Sequence, residues 1–338
     1  MGENMGQTQG NGGALYIKNL RTHFFTRNGV APAVDDVTIS IPRKGIVGVV
    51  GESGCGKSVT ALSVLRLVSS PGKIVSGSIV LDGEDLVSKS PREMRQIRGN
   101  KVSMIFQEPM TSLNPVYTVG KQVVEAMILH QGAGKKEARD RAIEMFKAVG
   151  IPEAEKRFGS YPHQLSGGLR QRVMIAMAMV CRPKLMIADE PTTALDVTIE
   201  AQILHQMKEL ERTTDTSIML ITHNMGVVAE ICDYVYVMYA GRIMEQANVF
   251  DLFDHTMHPY TTGLLNSIPR SGRGGGRLYN IKGMVPSLLN LPEGCRFRPR
   301  CEHAAPECGK FEPELYEADR GHWVRCYRYR DCGGGDME

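Results

Sequence analysis

Residues 51–58 read Gly-Glu-Ser-Gly-Cys-Gly-Lys-Ser, a full match to the phosphate-binding pattern G-x-x-x-x-G-K-[ST]. The glycines let the backbone turn tightly and direct its N–H groups at phosphate oxygens, Lys57 neutralises the β and γ phosphates, and Ser58 ligates Mg²⁺. The apolar residues 46–50 predict a buried strand before the loop. Residues 58–68 predict a helix after it, whose N-terminal dipole favours an anion. The pattern therefore predicts an α/β fold with a phosphate site.

Length, composition and charge restrict the class of protein. The chain has 338 residues, of which 42% are hydrophobic and 23% charged, as in ordinary globular proteins. Its net charge of +3 is too small to argue for nucleic acid as the main partner. The longest apolar run, residues 173–181, is too short for a membrane span. Residues 1–14, rich in Gly, Asn and Gln, predict a disordered lead-in rather than a signal peptide. We therefore expect an intracellular chain whose eight cysteines do not form disulfides.

The hydrophobic pattern predicts alternating strands and helices with one long interruption. The predicted strands cover residues 15–20, 37–41, 78–81, 101–106, 185–188, 217–222, 234–239 and 242–245. The predicted helices after the first one cover residues 119–130, 136–149, 169–181 and 199–213. From about residue 110 to residue 165 the strand signal is lost, which indicates a helical insertion. After residue 253 regularity falls, and residues 271–277 form a Gly/Arg-rich linker before a short tail that holds five of the eight cysteines.

Two carboxylates at the end of a predicted strand narrow the chemistry. The apolar run before them ends in Asp189 and Glu190. In a protein with a phosphate-binding loop, Asp189 is placed to support Mg²⁺, and Glu190 to accept a proton from a water in line with the γ-phosphate. A second motif, Ser166 followed by two glycines, predicts an N-cap at a helix start that a phosphate can approach. His223 ends another predicted strand and is a further candidate.

Taken in order, these motifs resemble those of the ATP-binding cassette family, with similarity from about residue 15 to residue 250. The resemblance implies an α/β P-loop nucleotide-binding domain, in which a RecA-like core carries an antiparallel β subdomain and a helical subdomain at about 110–165. It places this domain at residues 15–253, a C-terminal cysteine-bearing extension at 254–330 and a flexible tail at 331–338. Cassette ATPases of DNA repair carry long coiled coils and those of translation usually two cassettes, and neither feature is seen, so a non-transport role is the distant alternative.

The same resemblance implies a role for each motif. Residues 51–58 form the Walker A loop, 165–169 the signature, 194–196 the D-loop, and Asp189 and Glu190 end Walker B. The implied catalytic residues are Lys57, Gln107, Glu190 and His223, and the implied Mg²⁺ ligands are Ser58, Gln107 and Asp189. Phe24 matches the aromatic residue that stacks on adenine, although packing in the core is its alternative role. The residues expected around ATP are Phe24, Gly51, Glu52, Ser53, Gly54, Cys55, Gly56, Lys57, Ser58, Val59, Gln107, Ser166, Gly167, Gly168, Asp189, Asp196 and His223.

Two positions depart from the family pattern. Leu169 occupies the fifth place of the signature, where Gln is usual, and Asn224 follows His223, where Asp is commoner. The residues expected to touch phosphate are intact. We therefore expect the Leu169 exchange to alter contacts between two cassettes without abolishing use of ATP.

Several segments are similar to the ATPase subunits of dipeptide and oligopeptide importers, and most of all to the D-type subunit that pairs with an F-type one. They are residues 107–115, 258–261, 264–269 and 294–301. This resemblance implies ATP hydrolysis that drives peptide uptake, with a second ATPase, two permease subunits and an extracytoplasmic solute-binding protein as partners, and no nucleic acid. It also implies a place at the cytoplasmic face of the bacterial inner membrane, peripheral through the permeases. Nickel, glutathione, opines or sugars are alternative cargoes.

The cysteines near the C-terminus form a separate candidate site. Cys295, Cys301, Cys308 and Cys326 lack the C-x-x-C pairing of a zinc ribbon and lie in a segment with little apolar material. Four thiolates in a small segment suit a [4Fe–4S] cluster, which the resemblance to D-type subunits also implies. Zinc and free thiols are the alternatives, and Cys332 is a spare residue. The other cysteines, Cys55, Cys181 and Cys232, are interpreted as small packing residues.

Overall fold

The computed structural model describes residues 13–107, 112–193, 195–268 and 280–330, which divide into two compact units. Unit 1 comprises the residues up to Ser40, Val47–Val87 and the residues from Ile221 onward, and unit 2 comprises Ile41–Ile46 and Ser88–Leu220. Several predicted features lie outside the described residues. These are most of the predicted lead-in, the start of the helical insertion at residue 110, Ala194 of the D-loop, the linker 271–277, and the tail with Cys332.

The strands are β1 Gly13–Thr26, β2 Gly29–Pro42, β3 Ile46–Val50, β4 Gly72–Leu81, β5 Glu84–Asp85, β6 Val102–Ile105, β7 Leu185–Asp189, β8 Ser217–Thr222, β9 Tyr234–Tyr239, β10 Arg242–Asn248, β11 Tyr316–Asp319 and β12 His322–Val324. The α-helices are α1 Lys57–Val64, α2 Pro91–Ile97, α3 Val119–Gln131, α4 Lys135–Ala148, α5 Ala154–Arg157, α6 Gly167–Met179, α7 Val197–Thr213, α8 Met225–Ile231, α9 Val249–Asp254 and α10 Pro259–Asn266. Among the described residues, no helix is both long enough and apolar enough to cross a bilayer.

The first sheet of unit 1 is antiparallel and has the strand order β2-β1-β4-β5. The strands predicted at 15–20, 37–41 and 78–81 are confirmed, but each is longer than its prediction, and β1 starts inside the expected lead-in. The register between β1 and β4 shifts near Arg21, which interrupts the alternation of apolar residues. The second half of β1 was therefore not predicted from the sequence. Asp82 and Gly83, both with positive φ, form the predicted turn into β5.

The second set of strands in unit 1 has the order β11-β12-β10-β9-β3. β3 lies parallel to β9, and every residue of both strands is buried. The predicted hairpin of β9 and β10 is confirmed, with Ala240 and Gly241 in its turn. The expectation of low regularity after residue 253 is wrong in part, because α10 and the strands β11 and β12 lie there. β12 pairs with β10, so residues far apart in sequence extend one sheet.

Unit 2 contains the parallel strands β6 and β7, with β8 on the other side of β7. The helices predicted at 119–130, 136–149, 169–181 and 199–213 are confirmed within two residues at each end. α6 is buried almost all round and so has no amphipathic pattern. The short α2 was not predicted, although Ser90 and Glu93 form a capping box at its start and Pro91 occupies its first position.

The helix after the phosphate-binding loop is shorter than predicted. α1 ends at Val64 rather than near residue 68, because Arg66 takes a left-handed backbone conformation (φ 50°). The N–H groups of Arg66 and Leu67 then donate to the carbonyls of Ser63 and Leu62, at 3.0 and 2.8 Å. This is the hydrogen-bond pattern of a Schellman cap, which ends a helix even where the side chains would allow it to continue.

Candidate functional site

The phosphate-binding loop of unit 1 follows β3 directly and depends on two glycines in crowded places. Gly51 has φ 150° and Gly56 has φ 109°, both in the region that L residues avoid. A Cβ atom on Gly51 would lie 2.2 Å from the carbonyl oxygen of Met238, and one on Gly56 would lie 2.3 Å from that of Ala33. Both positions therefore exclude any side chain, and the loop keeps close contact with the backbone around it.

Lys57 begins α1, and its side chain turns back into the loop. Its Nζ donates hydrogen bonds to the carbonyl oxygens of Gly51 at 2.7 Å and of Glu52 at 3.0 Å, and the side chain is buried. Ser58 follows in the first turn of α1 and is half-buried. The loop thus brings one ammonium group, one hydroxyl group and the start of a helix together, which is the arrangement that binds a polyphosphate with its metal ion.

Glu52, the second residue of the loop, contacts the C-terminal part of the chain. Its carboxylate accepts two hydrogen bonds from Arg300, at 2.6 and 3.0 Å, and its backbone N–H donates to the Tyr260 hydroxyl at 2.8 Å. Neither Arg300 nor Tyr260 was singled out from the sequence. Both lie in the segments 258–261 and 294–301 that resemble importer ATPases, but no local pattern indicates a contact with Glu52, which is about two hundred residues or more away along the chain.

In unit 2, Gln107 and Glu190 contact each other at the ends of neighbouring parallel strands. β6 and β7 pair with Ile105 opposite Ala188, so the residues that follow both strands emerge at the same edge. The Gln107 Nε2 atom donates to Oε2 of Glu190 at 2.9 Å, and the Thr193 hydroxyl donates to the same oxygen at 3.0 Å. These donors orient the carboxylate of Glu190 while leaving it partly exposed. A carboxylate held in this way is suited to accept a proton from water.

The signature and the D-loop lie around one cavity of unit 2. Ser166 caps α6 through a hydrogen bond from the N–H of Leu169 to its hydroxyl at 3.4 Å, and Asp196 caps α7 through one from the N–H of Ile199 at 3.0 Å. Both caps, Gly167 and Gly168 line the cavity, whose volume is about 610 Å³. A Cβ atom on Gly168 would lie 2.8 Å from Cγ2 of Ile199, so a glycine allows α6 to approach α7. Two helix N-termini therefore border one open space, which favours an anion.

Three further predicted site residues, Asp189, His223 and Phe24, lie at or near the ends of strands. Asp189 is the buried last residue of β7 in unit 2, whereas His223 follows β8 in unit 1 and is exposed. Asn224 caps α8 by accepting a hydrogen bond from the N–H of Gly226 at 2.9 Å. Because Asn and Asp cap helices equally well, this departure from the family pattern leaves the local fold unchanged. Phe24 is half-buried near the end of β1, paired with Gly72 of β4.

The four C-terminal cysteines surround a second cavity, in unit 1. Cys295, Cys301, Cys308 and Cys326 all line it, its volume is about 300 Å³, and no disulfide joins them. Burial raises the pKa of Cys295 to about 12, and the neighbouring Cys308 and Cys326 add to this shift. In the part of the chain that the structure describes, no group of three or more His, Cys, Asp or Glu side chains could hold a metal ion as arranged. The other predicted packing cysteines, Cys55, Cys181 and Cys232, are buried.

Two family models match this chain. The first is described as ABC transporter and matches residues 34–193, and the second, described as the C-terminal region of oligopeptide/dipeptide transporters, matches residues 244–308. The oligopeptide transport ATP-binding protein AppD of Bacillus subtilis strain 168 is 54% identical over 94% of this chain and 98% of its own length. The chain belongs to the ATP-binding cassette transporter family. The family resemblance and the ATPase class predicted from the motifs are thereby confirmed.

Other relatives of this cassette ATPase agree with that conclusion. The oligopeptide transport ATP-binding protein OppD of Salmonella typhimurium is 49% identical over 93% of both chains. Among solved structures, a dimeric post-hydrolysis state of the ATP-binding cassette MJ0796 bound to ADP and Pi matches with a TM-score of 0.63 and 26% identity. That match covers 98% of the solved chain but only 70% of this one. The cassette fold is therefore confirmed, and this chain carries residues beyond it.

Proposed function

We propose that this chain is the ATP-hydrolysing subunit of an importer for dipeptides and oligopeptides. The observation that carries the proposal is the match over nearly the whole chain, C-terminal region included, to proteins named for oligopeptide transport. Its place in the cell would be the cytoplasmic face of the inner membrane, where permease subunits hold it.

In the proposed reaction, water attacks the γ-phosphorus of ATP while Glu190 accepts a proton from that water. The new oxygen–phosphorus bond forms as the bond to the bridging oxygen of ADP breaks, and Lys57 neutralises charge on the β and γ phosphates. Gln107 holds Glu190 by the 2.9 Å hydrogen bond and is the residue expected to sense the attacking water. Ser58, Gln107 and Asp189 would hold Mg²⁺, which supplies further charge neutralisation when bound, and His223 would support the γ-phosphate side.

The proposed site is completed by a second cassette. Ser166, Gly167 and Gly168 border an open cavity at the start of α6, where they would bind the γ-phosphate held by the Walker A loop of the partner ATPase. The chain alone should then hydrolyse ATP slowly, and adding the second ATPase and the permeases should raise the rate strongly. Steady-state phosphate release at low protein concentration tests this. Full activity from a dilute single chain would rule out the shared site.

A groove on unit 2 supports the permease partnership. It has a volume of about 770 Å³ and is lined by side chains of α3 and α4 together with Tyr117 and Phe158. Leu129, on its rim, is 74% exposed. The proposed occupant is a short cytoplasmic helix of a permease subunit, whose apolar face would cover Leu129.

Leu129→Lys should abolish stimulation by the permeases and keep nucleotide binding. Phe250→Lys, at an equally exposed apolar residue of α9 in unit 1, is the matched control and should retain stimulation.

The four cysteines of the second cavity are proposed to bind a [4Fe–4S] cluster with a structural role. Zinc, which would need four ligands that converge on one ion, is the alternative to the cluster. In a cluster each thiolate binds a different iron atom, and the observation that supports this proposal is that all four thiols line one cavity. Cys295, Cys301, Cys308 and Cys326 would then fold the segment around the cluster.

Metal analysis of anaerobically purified protein tests the cluster. We expect about four iron atoms per chain and a brown colour. Cys301→Ser should lose the iron, while Cys181→Ser, a buried cysteine of unit 2, should retain it. Stoichiometric zinc without iron would decide for the zinc site, and a metal-free, ordered segment would reject both.

The cargo is tested in the assembled importer. The solute-binding protein of the proposed importer should accelerate ATP hydrolysis in proteoliposomes when loaded with a dipeptide or an oligopeptide. Acceleration by nickel, glutathione, an opine or a sugar, with none by peptides, would replace the proposed cargo and keep the ATPase role.

A further inference from the structure

Three separate groups of one loop residue are held by the rest of unit 1. The carboxylate of Glu52 faces Arg300, its N–H donates to the Tyr260 hydroxyl, and its carbonyl oxygen accepts from Lys57 Nζ. Glu52 therefore lies directly between the C-terminal part of the chain and the lysine expected to bind phosphate. A residue held at its N–H, its carbonyl and its side chain has little freedom to change conformation.

The guanidinium of Arg300 is held by several contacts besides those with Glu52. Its Nε donates to the carbonyl oxygen of Lys282 at 2.9 Å, and Nη2 donates to that of Ile281 at 3.3 Å. The group also lies over the rings of Tyr239 and Phe297, at 5.7 and 5.9 Å. The side chain of Arg300 is only 3% exposed, against 29% for Glu52. A planar guanidinium held in this way presents two parallel donors to a carboxylate.

Tyr260 is fixed in a similar manner. It is fully buried in the first turn of α10, with its ring 4.7 Å from that of Tyr239 and 5.4 Å from that of Phe297. Because the ring cannot move without disturbing this cluster, the hydroxyl oxygen stays opposite the N–H of Glu52. The same aromatic residues therefore support both contacts with the loop.

We propose that Arg300 and Tyr260 are positioning residues that keep the phosphate-binding loop in its nucleotide-binding conformation. They act by geometry, through the contacts on Glu52, and by charge. Glu52 brings a carboxylate into a loop that must bind an anion, and an unpaired carboxylate there would repel the phosphates. Arg300 neutralises it through the two hydrogen bonds of its guanidinium. The inference rests on the ATP binding assigned to this family.

The proposal predicts nucleotide affinity rather than stability alone. Arg300→Met leaves the Glu52 carboxylate unpaired and should raise the Kd for MgATP by about tenfold. Arg300→Lys keeps the charge but loses the fork geometry and should give a smaller increase of about threefold. Tyr260→Phe removes only the hydroxyl, keeps the aromatic cluster and should also raise the Kd by about threefold. The Kd is measured by titration of the full chain with a fluorescent ATP analogue and Mg²⁺.

A double variant separates positioning from general damage. Glu52→Gln removes the repelling charge, so Glu52→Gln combined with Arg300→Met should bind MgATP more tightly than Arg300→Met alone. A merely structural role of Arg300 would not produce this rescue. Arg296→Met is the matched control, because Arg296 is an equally buried arginine of the same segment that reaches Asp35 and Ala240 instead of the loop. It should lower the melting temperature and leave the Kd within about twofold.

Three outcomes would overturn the proposal. They are a folded Arg300→Met chain with the wild-type Kd, an equal rise in Kd for Arg296→Met, and no rescue by Glu52→Gln. Should Arg300→Met fail to fold, Tyr260→Phe and Arg300→Lys decide in its place. Iron content is measured on every variant, because Cys301 follows Arg300 directly, and a Kd change that tracks iron loss would assign the effect to the cysteine site instead. A wild-type chain that does not bind MgATP would overturn the nucleotide assignment and the positioning role together.

Discussion

The two units hold their parts of the ATPase machinery in different ways. In unit 1 the phosphate-binding loop and its surroundings are joined by side chains very distant in sequence, with a separation of 248 positions for Glu52 and Arg300 and of 261 positions for Asp35 and Arg296. In unit 2 the signature and the D-loop are held by caps that span three residues, at Ser166 and Asp196. Local motifs therefore suffice to shape one half of the machinery, and tertiary contacts shape the other.

One contact in unit 2 joins residues that are distant in sequence. The hydrogen bond between Gln107 and Glu190 spans 83 residues but lies in unit 2. It arises because β6 and β7 pair in parallel, so their ends meet at one edge. Regular strand pairing thus brings distant residues together without dedicated side-chain contacts, whereas the loop in unit 1 is joined to the C-terminal part by the side chains of Arg300 and Tyr260.

The largest expected effect is on chemistry in unit 2. Glu190→Gln should keep MgATP binding and lower turnover in the assembled transporter by about 10²–10⁴-fold, because glutamine cannot accept the proton that Glu190 is proposed to take from water. Steady-state phosphate release and nucleotide titration measure both quantities. Glu200→Gln, which changes a nearby carboxylate that accepts a hydrogen bond from Thr192, is the matched control and should stay near the wild-type rate. Turnover near wild type in Glu190→Gln would remove Glu190 as the base.

The next largest effect concerns the distant contacts of unit 1. Burial by itself would raise the pKa of Asp35, but the charges of Arg242 and Arg296 outweigh it and keep that pKa low. Arg296→Met removes the ion pairs of Arg296 with Asp35 and with Glu312. It should therefore lower the free energy of unfolding by about 2–3 kcal/mol.

Urea unfolding with a matched variant of unit 2 checks that value. Arg212 pairs with Glu209, three residues away, on an exposed face of α7, and Arg212→Met should leave the urea midpoint unchanged within error. Equal shifts of the urea midpoint for both variants would mean that distant and local ion pairs contribute equally to stability. The contrast between the two units would then be wrong.

A smaller effect tests the caps of unit 2. Asp196→Ala removes the acceptor for the N–H of Ile199 and should cost about 1 kcal/mol of stability, whereas Asp196→Asn retains the cap and should cost much less. The measurement is the urea midpoint of each variant. If Asn were as damaging as Ala, the stability at this position would depend on charge rather than on local capping.

The smallest effect is a pH dependence in unit 1. Tyr236 of β9 donates its hydroxyl proton to the carbonyl oxygen of Ser40 at 3.2 Å, and burial raises the pKa of Tyr236 from 10.0 to about 12. Tyr16 and the ring of Tyr234 lie nearby. Because the folded pKa is higher than the unfolded one, the stability that Tyr236 contributes is complete below pH 10 and is lost as pH rises toward 12.

At pH 11 the loss should be about 1 kcal/mol relative to pH 9. Tyr236→Phe cannot ionise and should show a shallower decline of the urea midpoint over this range, although it is less stable at pH 9 for lack of the hydrogen bonds to Ser40. Parallel declines in both proteins would exclude Tyr236 as the titrating group.

The strands and helices of the cassette could be predicted from the sequence because their patterns are local. The apolar runs at 217–222 and 234–239 coincide with β8 and β9. Ser166 and Asp196, which cap α6 and α7, indicate where these helices begin. The second half of β1 and the early end of α1 could not be predicted. A bulge shifts the alternation in β1, and a left-handed Arg66 ends α1, and neither has a sequence signal.

The motifs were sufficient to predict a cassette ATPase, because each of them needs particular residue types at short, fixed spacings. Which residues of the C-terminal part contact the phosphate-binding loop depends on tertiary packing. Arg300 and Tyr260 lie in the segments 294–301 and 258–261 that resemble importer ATPases, but only the fold shows that both contact Glu52. The physical reason is range: a glycine turn or a cap is encoded within a few residues, whereas a buried ion pair depends on how distant segments pack.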